Sequence, residues 1–311
     1  MATKLKYQLP GVQFAVFFGL AVGMFLLNVV ITKTFFGNIA GIFSSEKTVS
    51  PALLTEFKWA QFAGTILSFV APPILYGLWA DERPLRYVGM KREVRIIPII
   101  IAALLLICVQ PLAMMLGELN QQVNFGTAHT MIKSTEELYE RILTKFMVMD
   151  SPADLLINMV IVALLPAIGE ELFFRGALQN ILEKWTQRPV IAIGIASFLF
   201  ALLHGTFFKF LPIFVLGITL GVLFYVTRNL WYSIFFHFLN NALALVASYY
   251  AQRNEFMKRL ADDDLKLNWS IALISLALTV ALFYFLRKRI PFQPLEKTWT
   301  SNSPEHYNTS R

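Results

Sequence analysis

Eight apolar stretches, at about 11–32, 60–80, 96–116, 155–180, 190–204, 210–227, 230–250 and 270–286, occupy most of this 311-residue chain. A membrane-crossing helix needs about 20 mostly apolar residues. Lipid satisfies no open backbone groups, so such runs must be helical. The stretch 190–204 is short, and 155–180 is interrupted by charge. The expected fold class is all-α: a polytopic membrane protein with about eight transmembrane helices. Composition agrees, because only 15% of residues are charged, against about 25% in a soluble domain.

Charge and proline separate the runs, as at Asp81-Glu82-Arg83-Pro84, Gln187-Arg188-Pro189 and Arg228-Asn229. The net charge of +7 would suit a nucleic-acid binder. Its placement excludes that class, since the cations gather between apolar runs, where they meet lipid headgroups. The partners expected are membrane lipids and a membrane-associated peptide or protein, with no nucleic acid. Arg83, Arg86, Lys91, Arg92 and Arg95 lie in one short connection, and Arg287, Lys288 and Arg289 follow the last run. Eight spans put both clusters on the side of Lys4 and Lys6, so the positive-inside rule makes both termini cytoplasmic. Arg253, Lys258, Arg259 and Lys266 would then face outward, against the trend. The basic N-terminus precedes no small-residue cleavage pattern and reads as a retained first span. Residues 1–291 form the expected membrane domain, with a motif core at about 150–250. A polar tail, 292–311, is expected to be disordered. Segment 117–153 reads as an extramembrane loop holding a short helix. Cys108, the single cysteine, reads as a packing residue.

Against this apolar background, a few polar side chains stand out. Glu170, Glu171 and Arg175 lie in the fourth run, His204 ends the fifth, and His237, Asn240 and Asn241 lie in the seventh. An intramembrane carboxylate is expensive unless paired or hydrated, so it marks a functional site by default. Glu171 with Arg175, and His237 with Asn241, are each four residues apart and share a helix face. Around a turn near 184–188, Glu170 and His204 both lie roughly 25 Å from that turn, at about 1.5 Å per residue. His237 and Asn241 come out shallower, at roughly 12 and 18 Å from theirs. One cluster is permitted if a vertical offset or tilt brings them level.

A carboxylate near a histidine can take a proton from water and activate it toward a carbonyl carbon. A second histidine and an amide can stabilise the resulting oxyanion. Alternatively, Glu170, His204 and His237 could ligate zinc, although no His-Glu-x-x-His signature is present. Plainer roles exist for each residue. Glu171 with Arg175 reads as a helix-locking ion pair, Asn241 as helix glue and Asn240 as structural. Trp185, Trp231 and Tyr232 read as interface-belt anchors. His129 has no evident partner in sequence.

The motif Glu170-Glu171-Leu172-Phe173-Phe174-Arg175, followed by Gly176, precedes Phe200-x-x-x-His204 and His237-x-x-x-Asn241. All three, in this order, resemble the CAAX protease and bacteriocin-processing (CPBP, or Abi) membrane proteases over about 165–245. The resemblance implies an intramembrane endopeptidase, in a prokaryotic cell (inner) membrane. It implies Glu170 as the water-activating base, His204 as its partner and His237 with Asn241 as the oxyanion pair. Glu171 and Arg175 would hold and tune the site. The family's chemistry is described as metal-dependent or as glutamate-driven without metal, so no cofactor is firmly implied beyond the possible zinc. Some relatives cut prenylated proteins. The competing classes are a non-catalytic immunity or scaffold protein and a proton-coupled transporter. The latter would favour an inverted repeat, and none is evident.

Overall fold

The computed structural model describes residues 4–36, 50–262 and 268–290; the 292–311 tail lies outside them. The described residues are helical throughout, with no strand. In chain order the main helices are α1 (Pro10–Phe35), α2 (Ala52–Ala80), α3 (Ile96–Gln121), α4 (His129–Phe146) and α5 (Pro152–Thr186). They continue with α6 (Pro189–Leu203), α7 (Phe207–Thr227), α8 (Leu230–Ala251) and α9 (Trp269–Arg289). Among the described residues seven are long and apolar enough to cross a membrane; α6, with 15 residues, is the short apolar exception, and the polar α4 does not qualify. The protein is an all-α polytopic membrane protein, with seven such spans where the hydropathy pattern suggests eight. The difference lies in α6, which at about 1.5 Å per residue rises only about 22 Å.

Two apolar clusters divide the bundle. Phe17, Tyr76, Phe174, Ile181 and Phe200 join α1, α2, α5 and α6. Leu105, Leu106, Leu223, Phe236 and Leu286 join α3, α7, α8 and α9. The turn at 88–90 bridges them, with Val88 packed among Leu172, Phe224 and Leu230. Here Gly89 has a φ of 97°, open to glycine without strain, and its carbonyl accepts from Leu230 N. At Gly176 an added Cβ would sit 2.7 Å from the Val88 carbonyl oxygen. Gly176→Ala is therefore expected to destabilise by about 1–3 kcal/mol. Its unfolding midpoint in detergent should fall, while Gly194→Ala, in a helix interior with nothing within 4 Å, should not lower it.

Ion pairs lock one end of the bundle. Arg228, immediately after α7, grips Glu183 of α5 with both Nη atoms of its guanidinium, and both side chains are buried. Lys6 holds Asp81 at 2.6 Å, and Lys4 pairs with Glu82. Ile290 lies beside Lys91 and Asn229 at this same end. Both ends of the described chain and the basic 81–95 connection thus share one face. The Lys6 ammonium, followed by the Arg83 backbone N–H, holds the Asp81 carboxyl below its usual 3.8, and Asp81 raises Lys6 above its usual 10.5. Because the folded Asp81 pKa lies below the unfolded one, this clasp is complete above pH 3.8 and is lost as pH falls through the folded value. The Lys6 contribution is complete below pH 10.5 and fades above its raised pKa. In an unfolding-midpoint profile taken below pH 3.8, Asp81→Asn should flatten the acid limb.

Candidate active site

Wide, π-helical turns shape the spans that hold the acidic residues. They cover Ile66–Val70 in α2, and Met159–Leu164 and Leu172–Gln179 in α5. Prolines at 72, 73 and 166 account for the first two, since each lacks an N–H and frees a carbonyl one turn back. In the third, the Asn180 side chain inserts into the ladder and donates to Gly176 O at 2.8 Å. More residues per turn shorten the rise between Thr186 and Glu171. Glu171 therefore lies closer to the basic end than a regular helix would put it. This supplies part of the offset needed to meet His237.

Glu171 is fully buried, and its Oε1 accepts from Arg175 Nη1 at 2.9 Å and meets His237 Nδ1 at 3.0 Å. Arg175 Nη2 donates to the Gly217 carbonyl at 2.9 Å, so one guanidinium ties α5 to α7 while Glu171 ties α5 to α8. A carboxylate accepts rather than donates, so Nδ1 of His237 carries a proton. Its Nε2 faces Glu170 Oε2 at 3.9 Å. Glu170 keeps 17% of its side chain exposed, and its Oε2 has no protein hydrogen-bond partner.

The Phe200 ring is the hub beneath these polar groups. Its centroid is 4.5 Å from the Arg175 guanidinium, 4.6 Å from the His204 ring and 5.8 Å from the His237 ring. His204 lies immediately after α6, with Nδ1 2.7 Å from the Phe200 carbonyl. That carbonyl can only accept, so Nδ1 carries the hydrogen and Nε2 is left for other partners. The structure thus links Glu170, Glu171, Arg175 and His237 through polar groups, and brings in His204 through Phe200. Among the described residues no ion pair joins His204 directly to Glu170. Asn241 lies one turn beyond His237, where its Oδ1 accepts from Asn240 at 3.3 Å. Asn240 in turn accepts from Gln110 of α3 at 3.0 Å, a helix-joining role.

No three His, Cys, Asp or Glu side chains among the described residues are gathered as a metal site requires. Glu170, His204 and His237 do not form one such group in this arrangement. Both histidines commit only Nδ1, His237 to Glu171 and His204 to the Phe200 carbonyl, which leaves each Nε2 open in the way a metal-ligating histidine presents it.

Several contributors near the site lack a local sequence signal. Glu136 of α4 accepts from the backbone N–H of Phe207 and Phe208, and Asn120 of α3 donates to the Phe207 carbonyl. These contacts fix the turn that follows His204. A Glu inside a polar segment and an Asn at a helix end are too ordinary to flag. His129, without an evident partner in sequence, packs its ring against Phe125 and Phe208. Tyr232 is not a belt anchor: it is 3% exposed, and its hydroxyl accepts from Arg95 N. Trp185 and Trp231 do remain exposed.

The model of the Rce1-like type II CAAX prenyl endopeptidase family matches residues 152–243. This segment is an Rce1-like domain. It is a domain of an intramembrane endopeptidase family, in agreement with the resemblance carried by the three motifs. No curated protein and no solved structure matches the chain. The Rce1-like domain starts at the first residue of α5, where Ser151 and Asp154 form a reciprocal cap. It ends two residues past Asn241. All six candidate site residues therefore fall inside it, while α1–α4 and α9 fall outside.

Proposed function

We propose that this chain is an intramembrane endopeptidase in which Glu170 activates water for attack on a peptide carbonyl. The observation that carries this reading is the pairing of unlike carboxylates. Glu171 is fully buried, with Oε1 committed to Arg175 and His237, whereas neighbouring Glu170 is partly exposed and lies 3.9 Å from His237 Nε2, beyond hydrogen-bond reach. Glu171 and Arg175 are then positioning residues. They hold the His237 ring by Nδ1, so that Nε2 is aimed toward Glu170. In the imidazolium form, with Nδ1–H held by Glu171, the ring also carries an Nε2–H that donates to the oxyanion as it forms, and a donor held before reaction needs no reorganisation. Asn241, nearby on the same face of α8, supplies an amide donor for the same oxygen. The proton that Glu170 takes from water is returned to the departing amine, with His204 Nε2 as the relay.

A groove of about 760 Å³ runs beside the site, between α1, α2, α5 and α6. Phe173 and Phe174, which follow the paired glutamates after Leu172, form part of its wall. This supports a substrate whose apolar part lies in the membrane, as a peptide beside a lipid chain or a spanning segment would. We further propose that the basic end of the bundle, with both chain ends, faces the cytoplasm of a prokaryotic cell. Its connections carry Arg83, Arg86, Lys91, Arg92 and Arg95 and so follow the positive-inside rule.

The test is cleavage of a tagged, membrane-anchored peptide library in liposomes by native protein and His204→Ala. Loss of about 100-fold or more in rate is expected for a proton-transfer partner, with the same peptide bonds cut by the native protein. Metal content and chelator sensitivity measured on the same samples separate glutamate-driven from zinc-dependent chemistry. An absence of cleavage by native protein across the library, with lipid-bearing peptides included, would favour an immunity or scaffold role instead.

A further inference from the structure

The 81–95 connection builds a second site, at the basic end and away from the paired glutamates. Arg83, Arg86, Lys91 and Arg92 line a bowl of about 1180 Å³, with Glu93 the one carboxylate and Trp231 on the wall. Four cations against one anion repel one another, yet the segment holds them together. Burial pushes the Lys91 ammonium below its usual 10.5, and Arg228 and Arg86 push it the same way. The backbone beneath is fixed: Leu230 N donates to Gly89 O, Asn229 Nδ2 to Glu93 O and Arg95 N to the Tyr232 hydroxyl. A preformed concavity whose lining carries a net positive charge fits an anion.

The rest of the wall says which kind of anion. Leu85, Met90 and Val94 also line the bowl, and Leu85 and Val94 are each 47% exposed. Ile96, the first residue of spanning helix α3, is 66% exposed beside them. The bowl thus stands where headgroups meet hydrocarbon, and it offers cations and apolar surface together. Trp231 suits that level, because indole is favoured at the membrane interface. A soluble acidic peptide would use the cations and leave the apolar wall idle.

We propose that this bowl binds the phosphate headgroup of an anionic phospholipid, whose acyl chains run down the exposed side of α3. Arg83, Arg86 and Arg92 supply forked donors for phosphate oxygens, and Lys91 supplies a point charge at the base. Basic pockets on one side of a membrane protein commonly take such headgroups.

The experiment places full-length protein in nanodiscs of equal phosphatidylglycerol and phosphatidylcholine, then counts retained lipid by native mass spectrometry. Native protein should retain phosphatidylglycerol in preference. A variant carrying Arg83→Gln, Arg86→Gln, Lys91→Gln and Arg92→Gln should lose at least about tenfold of that retention. Arg83→Gln with Arg92→Gln, both exposed, should lose part of it without disturbing the fold. A control with Arg287→Gln, Lys288→Gln and Arg289→Gln removes three cations from the end of α9, outside the bowl, and should retain lipid normally. Equal retention of the two lipids, or equal loss in the α9 control, would overturn the proposal. So would complete displacement by inorganic phosphate or by an oligoglutamate peptide, which would assign the bowl to a free anion or to an acidic chain.

Discussion

Glu170→Gln should abolish peptide hydrolysis and leave the unfolding midpoint nearly unmoved. The amide has the same shape as the carboxylate but cannot take a proton from water. A positioned general base contributes about 10²–10⁴-fold in rate, so turnover should drop by at least about a hundredfold. Stability should hold because Glu170 keeps 17% of its side chain exposed, and its Oε2 gives up no protein hydrogen bond on conversion. The closest ring nitrogen, His237 Nε2, is 3.9 Å away, beyond hydrogen-bond reach. Rates on a membrane-anchored peptide, read beside thermal unfolding in detergent, make the comparison. Activity within tenfold of native would remove Glu170 from the chemistry.

Arg175→Met is the counterpart, with its largest effect on folding. The substitution leaves Glu171 with 0% of its side chain exposed and without its cation, and orphans the Gly217 carbonyl. Removing one partner of a buried pair costs about 3–5 kcal/mol, a large share of the roughly 5–15 kcal/mol that holds a typical domain. The double variant Arg175→Met with Glu171→Leu removes both charges together and should recover much of the loss, because apolar replacements of similar size often match a buried pair. Hydrolysis should not return, since His237 loses the carboxylate that orients its Nδ1. Equal unfolding midpoints for the single and double variants would mean that the buried charge is not the source. Recovered hydrolysis would release Glu171 from its positioning role.

The parts legible from sequence are those that local spacing encodes. Glu171 and Arg175, four apart on one helix, do pair, and hydropathy locates the spans because lipid enforces it. The depth mismatch of Glu170 and His204 against His237 and Asn241 was visible, but the way it is reduced was not. It depends on wide turns, which shift with proline placement and with Asn180 reaching back to Gly176. Glu183 with Arg228 stayed hidden because the partners are 45 residues apart, and a charge beside a turn ordinarily faces water. The clamp on the turn after His204 was hidden for a similar reason: Glu136 lies 71 residues from Phe207. His204 itself was legible by residue type, but its facing toward Phe200 depends on where α6 stops.

That early stop reaches beyond the protein. A 15-residue helix spans about 22 Å, while the surrounding hydrocarbon is about 30 Å thick. Leu202 and Leu203, just before His204, are 43% and 61% exposed, so acyl tails meet them directly. Lipids beside α6 must shorten or tilt to cover this mismatch. Local thinning of the bilayer beside α6 is the expected response to such a mismatch, and under the proposed function it shortens the path of a scissile bond to Glu170.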